Sequence, residues 1–219
     1  KLAGYFIKHN KSYVGILETH KEQDIKKLQK LIDDNFVGKI KQTPPHRSAV
    51  KREEREREVY SWKLLEAGET GRDFLFETTV QGGTYVRKLC SDLGEMIGGA
   101  HMGELRRTSA GIFDESTLVK LEDFVKAVEE YKAGALGGHD SSEPKEGKLK
   151  KMLVPAEEAI KKVLPIVEAD KSAIKALHMG KPLLQSNVVN NYNLSPGESF
   201  ALFCGALNSG EPKQFIGVY

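Results

Sequence analysis

The spacing of apolar side chains changes several times along the chain, and each change predicts an element. Residues Lys11 to His20 (KSYVGILETH) read as a strand, and from Lys21 to Phe36 the residues Ile25, Leu28, Leu31 and Ile32 recur at helical spacing. Tyr60, Trp62 and Leu64 alternate along Glu58 to Ala67, and Phe74, Phe76, Thr78 and Val80 alternate along Asp73 to Gln81. Gly68-Glu-Thr-Gly71 supplies turn residues between these two runs, which predicts an antiparallel hairpin. Over Thr84 to Ile97 the stripe Val86, Leu89, Leu93 and Met96 predicts a helix stopped by Gly98-Gly99. Leu121, Phe124, Val125 and Val128 repeat that logic from Leu118 to Tyr131. Strands and helices in this irregular order predict an α+β layer structure.

Beyond Tyr131 the pattern weakens. Residues Ala133 to Lys150 (AGALGGHDSSEPKEGKLK) are poor material for a core and read as a linker or surface loop. Pro155 opens a short helix. After Leu164 comes a smaller unit: a strand at PIVEA, a capped helix from Asp170 to Met179 ended by Gly180, and short strands around Phe200 to Leu207 and Phe215 to Tyr219.

Composition narrows the function classes. Hydrophobic residues are 39% of the chain, which suits a folded protein, and no apolar run approaches the roughly 18 residues of a membrane span. The first eight residues are too short an apolar stretch for a signal peptide, so a cytosolic protein is expected. Cys90 and Cys204 are far apart with no CxxC and no His-rich cluster, which predicts neither a disulfide framework nor a zinc site. No phosphate loop, GxGxxG, HExxH or GxSxG motif is present.

Charge is informative in its distribution. The net charge is only +2, yet Gly38 to Arg52 carries Lys39, Lys41, Arg47, Lys51 and Arg52 with no acid, and Glu53 to Glu58 is then rich in acids. Such a run is either a solvated face or an anion-binding patch, stiffened here by Pro44-Pro45, with the acidic stretch as a repelling boundary. Two further segments stand out: Gly82-Gly-Thr-Tyr-Val-Arg-Lys-Leu89 and His101-Met-Gly-Glu-Leu-Arg-Arg-Thr108. In the first, two glycines at a strand-to-helix junction let backbone approach a ligand or another chain closely. Arg87 then falls in the first helical turn, where a cation gains nothing from the dipole. It is expected to meet a carboxylate or phosphate with its planar fork, the alternative being an Arg in water.

The segments TPPHRSAVKR (43–52), GGTYVRKLCSDLGEMIGG and AHMGELRRTSAGIF resemble, in order and spacing, the TruB-type pseudouridine synthases, with wording closest to the dyskerin-like branch. The resemblance covers about residues 1–125. The stretch from Leu164, through LHMGKPLL and its strand pattern, is similar to the PUA domain that follows in that family.

The resemblance implies an α+β fold with a mixed, largely antiparallel sheet and flanking helices, followed by a small β-rich PUA domain. It divides the chain into an incomplete catalytic domain (1–131), a linker with a short helix (132–163) and the PUA domain (164–219). It implies isomerisation of uridine to pseudouridine in tRNA or rRNA, with no metal or organic cofactor and with the target base flipped into a pocket.

By the same resemblance Tyr13 stacks on the base, Arg87 pairs with the catalytic aspartate in a buried cleft, and Leu105 lines the pocket. Lys51, Arg52, Arg106 and Arg107 are candidate phosphate contacts. Implied partners are substrate RNA, a box H/ACA guide RNA, two small core proteins and a kink-turn-binding protein, in the cytoplasm or, in a eukaryote, the nucleolus.

One departure is large. None of the nine aspartates follows a Leu and precedes a Pro and a Thr-Gly, the family's catalytic context, so an upstream segment is expected to supply that acid, the alternatives being a separate chain or a protein that only binds RNA. A stand-alone tRNA enzyme, a non-catalytic RNA-binding or scaffold protein, and an α+β protein unrelated to RNA stay open on the sequence.

Overall fold

The computed structural model describes residues 3–45, 51–136, 146–190, 192–205 and 214–219. These fall into two compact units, Lys1–Leu118 and Val119–Tyr219.

The first unit is built on six antiparallel strands. They are β1 (Lys11–Thr19), β2 (Gly38–Gln42), β3 (Arg55–Ala67), β4 (Asp73–Val80), β5 (Ala100–Ala110) and the two-residue β6 (Phe113–Asp114), in the order β2-β3-β4-β1-β5-β6. The expected hairpin is β3–β4, in which Trp62 faces Thr78 and Leu64 faces Phe76. Leu17, Trp62, Phe74, Phe76 and Val80 are essentially inaccessible and form the core with two helices.

Those helices are α2 (Ile25–Phe36) and α3 (Val86–Ile97); a short α1 (Ala3–Ile7) precedes β1. In α2, Asp24 accepts from the Lys27 amide as N-cap, and Leu28, Ile32 and Phe36 recur on the buried side. In α3 the buried stripe is Val86, Leu89, Cys90, Leu93 and Gly94, and Gly98 closes the helix at φ 85°. Met96, expected in that stripe, is half exposed because the stripe passes to Ile97, which packs on the core.

The second unit begins with α4 (Leu121–Leu136), α5 (Glu146–Met152) and α6 (Ala156–Lys161). The run expected to be linker is therefore helical at both ends, continuing α4 to Leu136 and restarting at Glu146. The stripe expected to bury α4 does not: Leu121, Phe124 and Val125 are exposed and Ala127 is the buried position. Strands β7 (Ile166–Asp170), β8 (Ala201–Gly205) and β9 (Gln214–Val218) form a mixed sheet, β7 parallel to β8 and β9 antiparallel to it. Asp170 caps a short 3-10 turn leading into α7 (Ile174–His178), and Val167, Leu177, Leu202 and Cys204 close a small core.

Candidate functional site

A cleft of about 340 Å³ opens where β1, β5 and the start of α3 meet, and Tyr13, Arg87 and Leu105 all line it. Tyr13 sits on β1 opposite Thr78 of β4 and Arg107 of β5, half-buried against the core. Leu105 faces Gly15 across the β1–β5 ladder and is 36% exposed, so it is a wall of the cleft and not a core residue. Val86 and Met102 extend the apolar wall. Thr84 is buried at the same wall, and its hydroxyl has no hydrogen-bond partner among the described residues.

Two local features shape this wall. The β1–β5 register slips between Ser12 and Tyr13 and again between Gly15 and Leu17, bracketing Leu105 with irregularities that re-aim side chains. Gly15 admits the close approach of β5: a Cβ there would stand 2.6 Å from the Glu104 carbonyl oxygen and 2.9 Å from Leu105 Cδ1. Any larger residue would push Leu105 outward.

The segment from Gly82 to Tyr85 is held from three sides. A Cβ on Gly82 would lie 2.7 Å from the Ile7 carbonyl oxygen, so the close approach expected at these glycines is made by the end of α1. Arg57 Nε donates to the Gly83 carbonyl at 3.3 Å. Gln42, 3% exposed, accepts from the Tyr85 amide at 3.0 Å and donates back to the Tyr85 carbonyl at 3.2 Å. Tyr85 is the N-cap of α3, which makes Arg87 the second residue of the helix.

Arg87 is exposed at the rim of the cleft, a correction to the expectation that it is buried. Its position lies outside the buried stripe of α3, and the neighbouring Lys88, not Arg87, takes the carboxylate of Asp92. Among the described residues the Arg87 guanidinium makes no hydrogen bond or ion pair. Its fork is free for an acceptor.

The basic run behaves differently from its linear reading. Strand β2 pairs with β3, and this folds the acids onto the lysines: Lys39 meets Glu56 at 3.2 Å and Lys41 meets Glu54 at 3.3 Å. Lys51 is exposed and pairs with Glu53, while Arg52 Nε donates to the Pro44 carbonyl at 3.4 Å. The acidic stretch is thus the neutralising partner of the run and not a repelling boundary beside it. Arg47 lies outside the described residues. A larger hollow of about 650 Å³ lies beside Pro44, but its cations Lys41 and Lys88 are already ion-paired and Arg52 is engaged, which leaves little charge for a ligand.

On β5, Arg106 Nε pairs with Glu115 at 2.9 Å, whereas the Arg107 guanidinium has no hydrogen bond or ion pair among the described residues. Burial, and then the Arg107 guanidinium, push the Lys11 ammonium below its ordinary range. Lys11 donates to the carbonyls of Ile7 and His9, tying α1 to β1 beside the cleft. Lys11, Arg87 and Arg107 thus stand on the elements that meet at Tyr13. Sequence reasoning missed Gln42, Thr84, Tyr85 and Met102, although Thr84, Tyr85 and Met102 lie inside the GGTYVRKLC and AHMGELRRT segments and Gln42 immediately precedes TPPHRSAVKR.

Residues 87–161 match the family model described as the tRNA pseudouridylate synthase B C-terminal domain. A protein of Saccharolobus solfataricus named "Probable tRNA pseudouridine synthase B" is 39% identical over 204 residues, covering 92% of this chain and 76% of its own length. Proteins of the same name from Nanoarchaeum equitans (39% over 190 residues) and Methanopyrus kandleri (38% over 195) cover 86% and 88% of this chain. The chain spans about half the length of those two relatives, 51% and 54%.

Among solved structures, a chain of a Cbf5-Nop10-Gar1 complex superposes with a TM-score of 0.70 at 30% identity, covering 97% of this chain and 66% of that one. A chain of an H/ACA RNP bound to a substrate RNA containing 2'-deoxyuridine gives 0.71 at 27% identity, covering 97% and 65%. The expected α+β architecture is that of these neighbours. With 39% identity over three quarters of a relative's length, the chain belongs to the TruB family of tRNA pseudouridine synthases.

Proposed function

We propose that this chain forms the uridine-facing cleft of an RNA pseudouridine synthase. The enzyme breaks the glycosidic C–N bond of a uridine, turns the base and rejoins it through carbon. The observation that carries this reading is the convergence of Tyr13, Arg87 and Leu105, from three separate elements, on one cleft. A flipped base costs a few kcal/mol to unstack, and stacking on an aromatic side chain returns about 1–3 kcal/mol. Tyr13 supplies that ring, and Leu105 with Met102 supplies the apolar wall that excludes water. Arg87 presents a free guanidinium at the rim, suited to hold a carboxylate ionised beside the base. None of the nine aspartates stands in the family's catalytic sequence context, so the reaction requires an acid delivered to Arg87.

The finer reading is guide-dependent action, with the smaller sheet unit as a PUA domain that grips RNA backbone without touching the target base. Both structural neighbours come from assemblies of this kind: one contains Nop10 and Gar1, the other is an H/ACA RNP with substrate RNA. A stand-alone tRNA enzyme is the second reading, favoured by the names of the sequence relatives. Tritium release from labelled uridine, measured on the full-length protein with and without an H/ACA guide RNA, separates them. Guide-dependent release is expected. Release from bare tRNA selects the stand-alone enzyme, and no release under either condition returns the chain to non-catalytic RNA binding.

A further inference from the structure

We infer that Gln42 is a positioning residue for the cleft: its buried amide pairs with both backbone groups of Tyr85 and so fixes where α3 begins and where Arg87 stands. The inference rests on the reading of the cleft given above. Gln42 ends β2, in phase with Ile40 on the side of the strand that turns inward. It is a polar side chain at 3% exposure, and a buried amide is costly unless its carbonyl and N–H groups are matched. The match comes from one residue. The Gln42 carbonyl accepts from Tyr85 N–H at 3.0 Å and its amide donates to the Tyr85 carbonyl at 3.2 Å, so the side chain acts as a short piece of strand laid against that backbone.

The place of this contact gives it leverage. The Tyr85 carbonyl also accepts from Lys88 N at 3.0 Å and Leu89 N at 3.2 Å, the first bonds of α3. Tyr85 has no side-chain cap of its own, and its φ of −97° and ψ of 101° are extended. The local hold on its entry is the turn in which Thr84 N donates to the Gln81 carbonyl at 3.1 Å, one residue before Tyr85. Gln42 reaches it from 43 residues away, and Arg57 steadies the preceding Gly83 carbonyl. Arg87 lies two residues beyond the clamped carbonyl, and Thr84, Tyr85 and Val86 line the cleft with it. Loss of the clamp frees the helix start to shift against Tyr13 on β1. A displacement of about 1 Å in a reacting constellation lowers rates by roughly 100-fold.

The test uses the full-length protein with its substrate RNA and two substitutions. Gln42→Leu keeps the volume and removes both bonds. Gln42→Glu keeps the acceptor, and its carboxyl donates to the Tyr85 carbonyl only when protonated. Backbone amide exchange at Tyr85 is the first readout, since it needs no activity. Exchange is expected to rise at least tenfold in Gln42→Leu, and wild-type exchange there would overturn the proposal.

The second readout is single-turnover isomerisation at saturating RNA beside RNA affinity. Gln42→Leu is expected to lose about 100-fold in rate with Kd within about threefold. Gln42→Glu is expected to be slow at pH 8 and to recover as pH falls towards 6 while urea unfolding shows the protein folded at both pH values, which separates loss of the clamp from loss of the fold. If Gln42→Leu does not fold, Gln42→Glu carries both readouts, and a flat pH dependence with unchanged Tyr85 exchange overturns the inference. A wild-type protein inactive on every RNA defeats the reading of the cleft and leaves the exchange result to judge Gln42.

Discussion

Two cation-bearing regions of the same sheet have opposite fates. At the β2–β3 edge, Lys39 and Lys41 stand across an antiparallel ladder from Glu54, Glu56 and Glu58, and the lysines are ion-paired at the surface. Around the β1–β5–α3 cleft, Arg87 lines the rim and Arg107 stands beside Tyr13 on the β1–β5 ladder, and neither guanidinium has a hydrogen bond or ion pair among the described residues. The first region looks strongly basic in the sequence and is partly neutralised in the fold, where Glu56, Glu54 and Glu53 take Lys39, Lys41 and Lys51. The second carries only scattered cations in sequence and concentrates them around Tyr13. A charge run predicts a surface field only when the strand that will pair with it is known, because a turn can lay an acidic run onto a basic one at two-residue intervals. Exposed pairs of this kind contribute little to stability, typically under about 1 kcal/mol, but they remove charge from the field a nucleic acid meets.

The contrast can be broken most severely at Arg87. In the full-length enzyme Arg87→Ala is expected to lower the single-turnover rate about 100-fold or more with RNA affinity changed only severalfold, whereas Lys39→Ala combined with Lys41→Ala leaves the rate untouched. Next in size is the shape of the cleft wall. Gly15→Ala drives a methyl group into the Glu104 carbonyl and the Phe76 ring, whose Cζ lies 2.8 Å from that Cβ, and is expected to destabilise the fold by about 1–3 kcal/mol in urea unfolding.

A smaller effect sharpens the electrostatic half of the comparison. Arg107→Ala should lower the slope of log affinity against log salt by about 0.7–0.9, one phosphate contact, and the Lys39 and Lys41 pair of substitutions should not change it. The smallest is a titration. The folded pKa of Lys11 lies below its unfolded value, so between the two the unfolded chain binds more protons and stability from this group rises with pH. Arg107→Gln removes the repelling charge and should move the Lys11 titration, followed by NMR, up towards its ordinary range near 10.5.

Much of the frame was legible because its elements bury one face cleanly. The alternation of Phe74, Phe76, Thr78 and Val80 is that of β4, and the stripe Val86, Leu89 and Leu93 is that of α3. Strand β5 was not legible as a strand. Its stretch Gly103-Glu-Leu-Arg-Arg107 is exposed at every position, and two slips of register break any period of two. Its role in the cleft came from the resemblance of AHMGELRRT and not from its pattern. The grouping of Tyr13, Arg87 and Leu105 is likewise legible only through the motifs, and the exposure of Arg87 is not legible at all. Spacing on a helix fixes which side chains share a face but not how much of that face a neighbour covers. Gln42 was hidden inside a run read for its charge, since nothing in GKIKQ marks one amide as the clamp on a backbone 43 residues away.

The most direct measurement places a photoreactive uridine in the target position of the RNA, irradiates its complex with the full-length protein and identifies the crosslinked peptide by mass spectrometry. Crosslinks are expected to the β1 segment containing Tyr13 or the β5 segment containing Leu105. Crosslinks confined to the segment from Lys39 to Arg57 would contradict that expectation.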